Sequence, residues 1–241
     1  MTELYAEAER SWLIDERWGM SEVNLFKGQF KSWILPHPKV DAVRLAELAV
    51  LRPLAMLLKY KGLHLLPAAA VSRENFAALV ITPFGLEREL TRALEARYRI
   101  IGQRWTAVRE EDGRCQLLAM PGVVQQRPAS PAAMPEWIDL TATNPLSVQP
   151  QAHCSAVLAI DSGRRPRASL QAWSAEDAAM VLRLAWPIPE LHPQRRCGQL
   201  ATRLAQICPC YRVQLSHDPA EWVSLLESLR SATPARTRIA A

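Results

Sequence analysis

The stretch that decides the fold runs from residue 63 to residue 104 and reads LHLLPAAAVSRENFAALVITPFGLERELTRALEARYRIIGQR. Two apolar runs, 63–71 and 76–82, are short and are separated by polar residues, which favours buried strands. Residues 86–97 then repeat apolar side chains at helical spacing, and another apolar run starts at Tyr98. Strand, tight turn, helix and strand in this order predict a βαβ unit of an α/β protein.

Upstream of this stretch, the sequence predicts a hairpin followed by a helix. Residues 22–35, EVNLFKGQFKSWIL, are typical of two short strands joined at a Lys-Gly turn. A helix follows, with Asp41 as its cap, because apolar residues recur at helical spacing until Gly62. Pro53 is expected to kink or split this helix, since proline lacks the backbone N–H that the helix needs.

Downstream of the stretch, predicted strands and helices continue to alternate, and glycine and proline residues separate them. The predicted elements are a strand over 98–108, a hairpin turn at Asp112–Gly113, a long exposed loop over 125–137, a strand over 155–161 that ends in a turn at Ser162–Gly163, a helix capped by Ser174 and Asp177, a helix over 198–207, a strand over 211–216, and a last helix that starts at Asp218–Pro219.

The composition favours a folded protein of the cytoplasm. The chain has 241 residues, of which 49% are hydrophobic, and no apolar run approaches the roughly 20 residues that span a bilayer. The first residues mix acidic and basic side chains, unlike a secretory signal. The five cysteines are odd in number and have no paired CxxC spacing, so we expect reduced thiols, no disulfide framework and no metal site.

The net charge of +5 suits a polyanionic partner, but the basic residues are spread along the chain. The nearest approach to clusters is Arg164, Arg165 and Arg167, together with Arg195 and Arg196. Because no recognition motif accompanies them, we interpret them as solvated loop arginines and not as a nucleic-acid contact.

Taken in order, these segments resemble the HPr kinase-like branch of P-loop proteins, which belongs to the PEP carboxykinase-like superfamily and includes the bacterial HPr kinases. The resemblance runs from about Pro38 to Leu229. It implies an α/β fold in which a mixed sheet is flanked by helices, here preceded by an N-terminal β-hairpin. We therefore predict three regions: a hairpin segment over 1–37, a degenerate HPr kinase-like domain over 38–231, and a basic disordered tail over 232–241.

The nucleotide-binding loop of that family is degenerate in this chain. The family carries G-x-x-x-x-G-K-[ST] after its first strand, where backbone N–H groups surround the phosphates, Lys neutralises them and Ser or Thr holds Mg²⁺. The matching residues are Thr82, Pro83, Phe84, Gly85, Leu86, Glu87, Arg88 and Glu89. The stretch lacks the lysine and is about two residues short, and arginine does not replace lysine conservatively. We expect no nucleotide cofactor.

The acidic residues of that family are also missing. The family places an acidic pair after the strand that corresponds to YRIIG, where it serves the metal and the attacking hydroxyl. This chain has Gln103 and Arg104 there, and neither supplies a carboxylate ligand for Mg²⁺. The resemblance therefore implies a fold without its catalytic residues and without a bound metal.

The leading hypothesis is a non-catalytic pseudo-kinase that acts as a binding or scaffolding partner for a protein or peptide, with homo-oligomerisation possible. One alternative is a phosphotransferase or other enzyme of altered mechanism that uses Arg88, Glu87 or Glu89. Another is a nucleic-acid-binding protein.

Three aromatic residues outside the main elements are the candidate partner surface: Phe30, Trp33 and Trp137. Aromatic side chains are common anchors of protein interfaces. Phe30 and Trp33 are three residues apart, so on a regular strand they face opposite sides and one of them should face outward.

Overall fold

The structure is a computed structural model of the chain. It describes residues 2–7, 10–15, 18–35, 42–82, 85–120, 123–126, 136–142, 145–185 and 197–232. The chain forms two compact units, one made of Met1–Leu65 with Trp186–Gln199 and the other of Leu66–Ala185 with Leu200–Ala241. The predicted region boundaries at residues 37 and 231 stay a prediction, and the predicted helix cap Asp41 lies outside the described residues.

The first unit contains a four-stranded antiparallel sheet. Its strands are β1 (Thr2–Glu7), β2 (Arg10–Asp15), β3 (Gly19–Asn24) and β4 (Gln29–Ile34), paired in that order. The predicted hairpin is present as β3 and β4. The sheet also has two earlier strands, β1 and β2, which the sequence does not predict.

The predicted helix of the first unit is present in three consecutive segments. These are α1 (Ala42–Ala46), a π-helical turn (Glu47–Leu51) and α2 (Arg52–Tyr60), in which Pro53 occupies the first turn. Proline is tolerated in a first helical turn because no intrahelical hydrogen bond is needed there. The interruption therefore lies just before Pro53, as the sequence predicts. Trp18, in the turn immediately before β3, is completely buried against Leu48 and Ala49 of the π turn.

The second unit is built on a six-stranded mixed sheet. In chain order, its strands are β6 (Ala68–Arg73), β7 (Phe76–Ile81), β8 (Arg99–Gly102), β14 (Ala156–Arg165), β15 (Ser169–Ala172) and β16 (Cys210–Ser216), and their spatial order is β15-β16-β14-β7-β6-β8. The strands β7, β14 and β16 are parallel, whereas β6 and β15 run antiparallel to their neighbours. A short strand, β5 (His64–Leu66), precedes them.

Four helices belong wholly or largely to this unit: α3 (Glu87–Glu95), α4 (Ala175–Ala185), α5 (Cys197–Ile207) and α6 (Pro219–Ala232). The sheet contributes Val80 and Leu158 to a core that also holds Leu90 of α3 and Trp222 of α6, all buried. The predicted caps are present: Asp177 N donates to Ser174 Oγ at 3.1 Å, and Ala220 N donates to Asp218 Oδ1 at 2.8 Å.

Smaller strands complete the second unit. They are β9 (Thr106–Glu111), β10 (Arg114–Leu118), β11 (Val124–Gln126), β12 (Glu136–Ile138) and β13 (Gln151–His153). The strands β9 and β10 form the predicted hairpin, in which Asp112 and Gly113 both have positive φ, as a type I′ turn requires.

Several predicted elements differ from the structure. The run 63–71, predicted as one strand, is divided at Pro67 into β5 and β6. The loop predicted over 125–137 contains residues of β11 and β12, which pair with each other. The strand predicted over 98–108 is divided into β8 and β9, because the chain bends after Gly102. The turn predicted at Ser162–Gly163 is a bulge within a strand, because β14 continues to Arg165 after a register shift. The predicted α/β fold class, with a mixed sheet flanked by helices and an N-terminal antiparallel hairpin, is confirmed. Among the described helices, none is long and apolar enough to cross a membrane.

Candidate functional site

The candidate site lies at the carboxyl ends of the parallel strands β7, β14 and β16, where α3 begins. In open α/β sheets, ligands bind outside this end of the strands. The helix starts at Glu87, within the segment 82–89 that was compared with the P-loop, and Leu86 at its N-cap provides no side-chain hydrogen bond. Pro83 and Phe84 of the P-loop position lie outside the described residues.

Glu89, in the first turn of α3, is buried beside an arginine. Its side chain is 1% exposed, and Oε1 lies 2.6 Å from Nη1 of Arg164, whose side chain is 20% exposed. Within the described residues, neither Glu89 oxygen accepts a well-aligned hydrogen bond. The contact therefore compensates the charge of Glu89 as an ion pair, without the two parallel hydrogen bonds of a bidentate pair.

The bulge in β14 positions Arg164 for this contact. The β14 register shifts between Ile160 and Arg164, and Gly163 adopts φ of 88°, a conformation that glycine tolerates without strain. Arg164 Nη1 also donates to the backbone oxygen of Ser216, at 2.8 Å, at the end of β16. One guanidinium thus connects the start of α3 with the ends of two parallel strands.

Arg88, the residue nearest in type to the missing lysine, contacts the chain itself. It is exposed, and its Nη2 donates to the backbone oxygen of His217 at 3.3 Å. Glu87 is partly buried in the same helical turn. Acidic residues in a first turn are stabilised by the helix dipole, so Glu87 and Glu89 both have a structural role at this position.

Gln103, at the degenerate acidic-pair position, is buried and uses both ends of its amide. Its Nε2 donates to Asp139 Oδ1 at 2.6 Å, and its Oε1 accepts a hydrogen bond from Leu140 N at 3.0 Å. These contacts fix the segment after β12 against the end of β8. Arg104, the other residue of this position, is partly buried.

Asp139 is a member of this group that the sequence did not single out. Partial burial acts to raise its pKa, but hydrogen bonds from Thr141 Oγ1, Thr141 N and Gln103 outweigh burial and hold the pKa below its ordinary value. The resulting stabilisation is present above the ordinary pKa of an aspartate, about 3.9, and is lost as the pH falls through the lower folded-state pKa. Asp139 is therefore an acceptor carboxylate at neutral pH.

Replacing Gln103 with an acidic residue tests how much the amide of Gln103 contributes to stability. Gln103→Glu is expected to lower the free energy of unfolding by about 2 kcal/mol near neutral pH, because it replaces a buried donor with a buried carboxylate beside the exposed carboxylate of Asp139. The same neighbours raise the pKa of the new carboxyl, so the loss should fade as the pH approaches ~4. Urea unfolding at several pH values measures both effects.

The control for this substitution is the double variant Gln103→Glu with Asp139→Asn. It removes the repulsion between the two carboxylates and should recover much of the lost stability at neutral pH. Equal losses in the single and double variants would contradict the assigned contact.

The three aromatic residues of the candidate partner surface belong to different units. Phe30 and Trp33, in the first unit, lie on opposite faces of β4: Phe30 pairs with the buried Val23, whereas Trp33 pairs with Met20 and is 49% exposed. Trp137, in the second unit, lies in β12 opposite Gln125, and its side chain is outside the described part of the structure. The role of these residues in binding stays a prediction.

The four described cysteines of the second unit are buried. Cys208 Sγ contacts the backbone oxygen of Cys154 at 3.3 Å, and burial raises the pKa of Cys210 to about 11. Thiols with a raised pKa are poor nucleophiles. Across the described residues, no group of three or more His, Cys, Asp or Glu side chains is arranged to hold a metal ion.

Arg164 is the second residue whose role the sequence does not indicate, and its interpretation as a solvated loop arginine is wrong. The structure shows it paired, whereas Arg165 and Arg167 are exposed. The sequence feature that could have indicated this role is Ser162-Gly163 within a strand-like segment. A glycine inside a strand is typical of a bulge as well as of a turn.

Comparisons with known proteins give a distant structural similarity. No protein-family model matches the chain, and no curated protein matches it. Among solved structures, the Hpr(Ser) kinase/phosphatase from Coxiella burnetii is similar at 10% sequence identity and a TM-score of 0.40, over 70% of this chain and 95% of that one. The activities in that name are those of the Coxiella protein.

Proposed function

We propose that this chain is a non-catalytic relative of the HPr kinases that binds a protein or peptide partner. The observation that carries the proposal is the ion pair between Glu89 and Arg164 at the start of α3. It occupies the end of the parallel strands, where an active relative would need backbone N–H groups and a lysine free to meet phosphate.

Electrostatics at this position weigh against a bound phosphate. A carboxylate about 5 Å from a phosphate charge, at an effective dielectric near 20, repels it by roughly 3 kcal/mol. Arg164 reduces the repulsion from Glu89 but is already engaged with Glu89 and Ser216. Moving Arg164 to a phosphate would leave the buried Glu89 without its counter-ion, which is costly.

The contacts also weigh against the two alternatives. An enzyme that used Arg88 or Glu89 would have to break the contacts that these residues make with His217 and Arg164. A nucleic-acid surface that used the arginines of β14 would lose Arg164, which is paired and four-fifths buried. Arg195 and Arg196 lie outside the described residues.

The non-catalytic half of the proposal predicts that the chain does not bind ATP or GTP at millimolar concentration with Mg²⁺. A thermal-shift titration and calorimetry measure this, because a ligand that binds the folded state at saturation raises the melting temperature. A Mg²⁺-dependent rise of several degrees would show a working nucleotide site. Titration with Mg²⁺ alone is the control for an effect of the ion.

A further inference from the structure

The edge of the N-terminal sheet formed by β4 is the strongest unassigned feature of the first unit. The sheet order places β4 last, so among the described residues no strand pairs with its outer edge. An edge strand presents backbone N–H and C=O groups that can pair with another chain. The pairing of β4 with β3 fixes which groups these are.

Leu35 N donates to Trp18 O at 2.8 Å, and the register continues as Gly19 with Ile34 and Met20 with Trp33. Hydrogen-bonded and non-hydrogen-bonded pairs alternate along an antiparallel ladder. Since Leu35 is in a hydrogen-bonded pair, the backbone groups of Ile34 point away from β3. The same alternation directs the backbone of Ser32 and Phe30 to the open edge.

The side chains along this edge are unusually apolar for a surface. Trp33, Ile34 and Leu35 are 49%, 48% and 56% exposed, and Phe26 in the hairpin turn is 76% exposed. Phe26 lies at the turn end of the hairpin, whereas Trp33, Ile34 and Leu35 form a run at the other end of β4. Single exposed apolar residues are normal, but a run of three at a sheet edge is typical of an interaction site. Among the described residues, the edge therefore combines backbone groups that have no strand partner with apolar contact area.

Two exposed lysines give the edge its charge. Lys27 lies in the hairpin turn and Lys31 lies in the middle of β4. Glu22, the cross-strand neighbour of Lys31, forms its ion pair with Arg10 instead, at 3.3 Å. Within the described ranges, no carboxylate lies at ion-pair distance from either lysine, so an acidic ligand would complement them.

We propose that the open edge of β4 binds an extended acidic peptide segment of a partner protein by β-strand addition. The inference rests on the proposed binding function and names the ligand class. The peptide adds a strand next to β4, its backbone pairs with Phe30, Ser32 and Ile34, and its carboxylates meet Lys27 and Lys31. A second copy of the chain fits less well, because it would bring the same two lysines to the interface.

Selection of linear peptides from a displayed library, with the full chain as bait, tests the proposal. Selected peptides are expected to alternate apolar and acidic residues. When such a peptide is synthesised and bound, the amides of residues 30, 32 and 34 should gain protection from hydrogen exchange. Those of residues 29, 31 and 33 are already protected by the ladder with β3 and should change little.

Two substitutions on β4 distinguish the backbone and charge contributions. Ile34→Pro removes an N–H that points away from β3, so the sheet should persist while peptide affinity falls up to about tenfold. Lys31→Glu should lower the affinity for acidic peptides by about tenfold, and peptides selected with this variant should no longer be enriched in carboxylates. The matched control is Arg167→Glu, an exposed charge reversal in the second unit, which should leave affinity unchanged.

Each outcome decides the proposal. Protection confined to residues 30, 32 and 34, with loss in both β4 variants, supports it. Peptides that bind but protect another segment overturn the edge assignment and leave the binding function standing. If the amides of the β4 edge gain protection from hydrogen exchange as the chain concentration rises, without peptide, the ligand of the edge is a second copy of the chain. That result overturns the peptide proposal. A selection that enriches no peptide for the folded chain also overturns it.

Discussion

Arg164→Ala is expected to lower the free energy of unfolding by about 3–5 kcal/mol, since breaking a buried ion pair leaves the other charge uncompensated. Glu89 is 1% exposed and has Arg164 as its ion-pair partner at 2.6 Å. The substitution also removes the hydrogen bond to the backbone oxygen of Ser216. Chemical unfolding followed by circular dichroism measures the loss, and hydrogen exchange in α3 and β14 locates it.

A matched control for this prediction is Arg167→Ala, because Arg167 is an exposed arginine a few residues further along the chain. Surface substitutions of this kind change stability by about 0.5 kcal/mol or less. The double variant Arg164→Leu with Glu89→Leu removes both charges and should be more stable than Arg164→Ala. If Arg164→Ala and Arg167→Ala melt alike, the ion pair does not hold the start of α3.

The fold class could be predicted because the core strands are apolar runs that are too short for helices and are bounded by turn residues. The first strands could not be predicted in the same way. In β2, the side chains that face inward are Ser11, Leu13 and Asp15, all buried. Because two of the three are polar, the alternation of apolar and polar residues that identifies a half-buried strand is absent.

The sequence names residues of the candidate site but does not indicate their contacts. That the segment 82–89 has no lysine and that Gln103 is not a carboxylate is visible in the sequence. The partners of Glu89 and Gln103 are not, because Arg164 and Asp139 are distant along the chain. Arg164 comes into place only through a bulge, and Asp139 only through the turn after β12. Such contacts depend on tertiary structure, which local patterns do not encode.

Because β3 approaches β4 closely at Gly19, adding a single methyl group at this residue is expected to destabilise the sheet strongly. Gly19 has φ of 130°, and a Cβ at this position would overlap the backbone oxygen of Trp33. Gly19→Ala is expected to destabilise the sheet by about 3 kcal/mol or more, because it adds backbone strain of about 1–3 kcal/mol to a steric overlap of similar cost. Hydrogen exchange across β2, β3 and β4 measures the loss, which should be smaller in the strands of the second unit.

Gly28→Ala is the control that separates strain from overlap. Gly28 has φ of 62°, and an added Cβ there meets nothing within 4 Å. It should cost about 1–2 kcal/mol, the penalty of a left-handed conformation for an L-residue. Because the overlap displaces the Trp33 carbonyl and with it β4, Gly19→Ala should also abolish binding of the selected peptides, whereas Gly28→Ala should retain it. Equal exchange rates in the two variants would show that β4 does not depend on the close approach at Gly19.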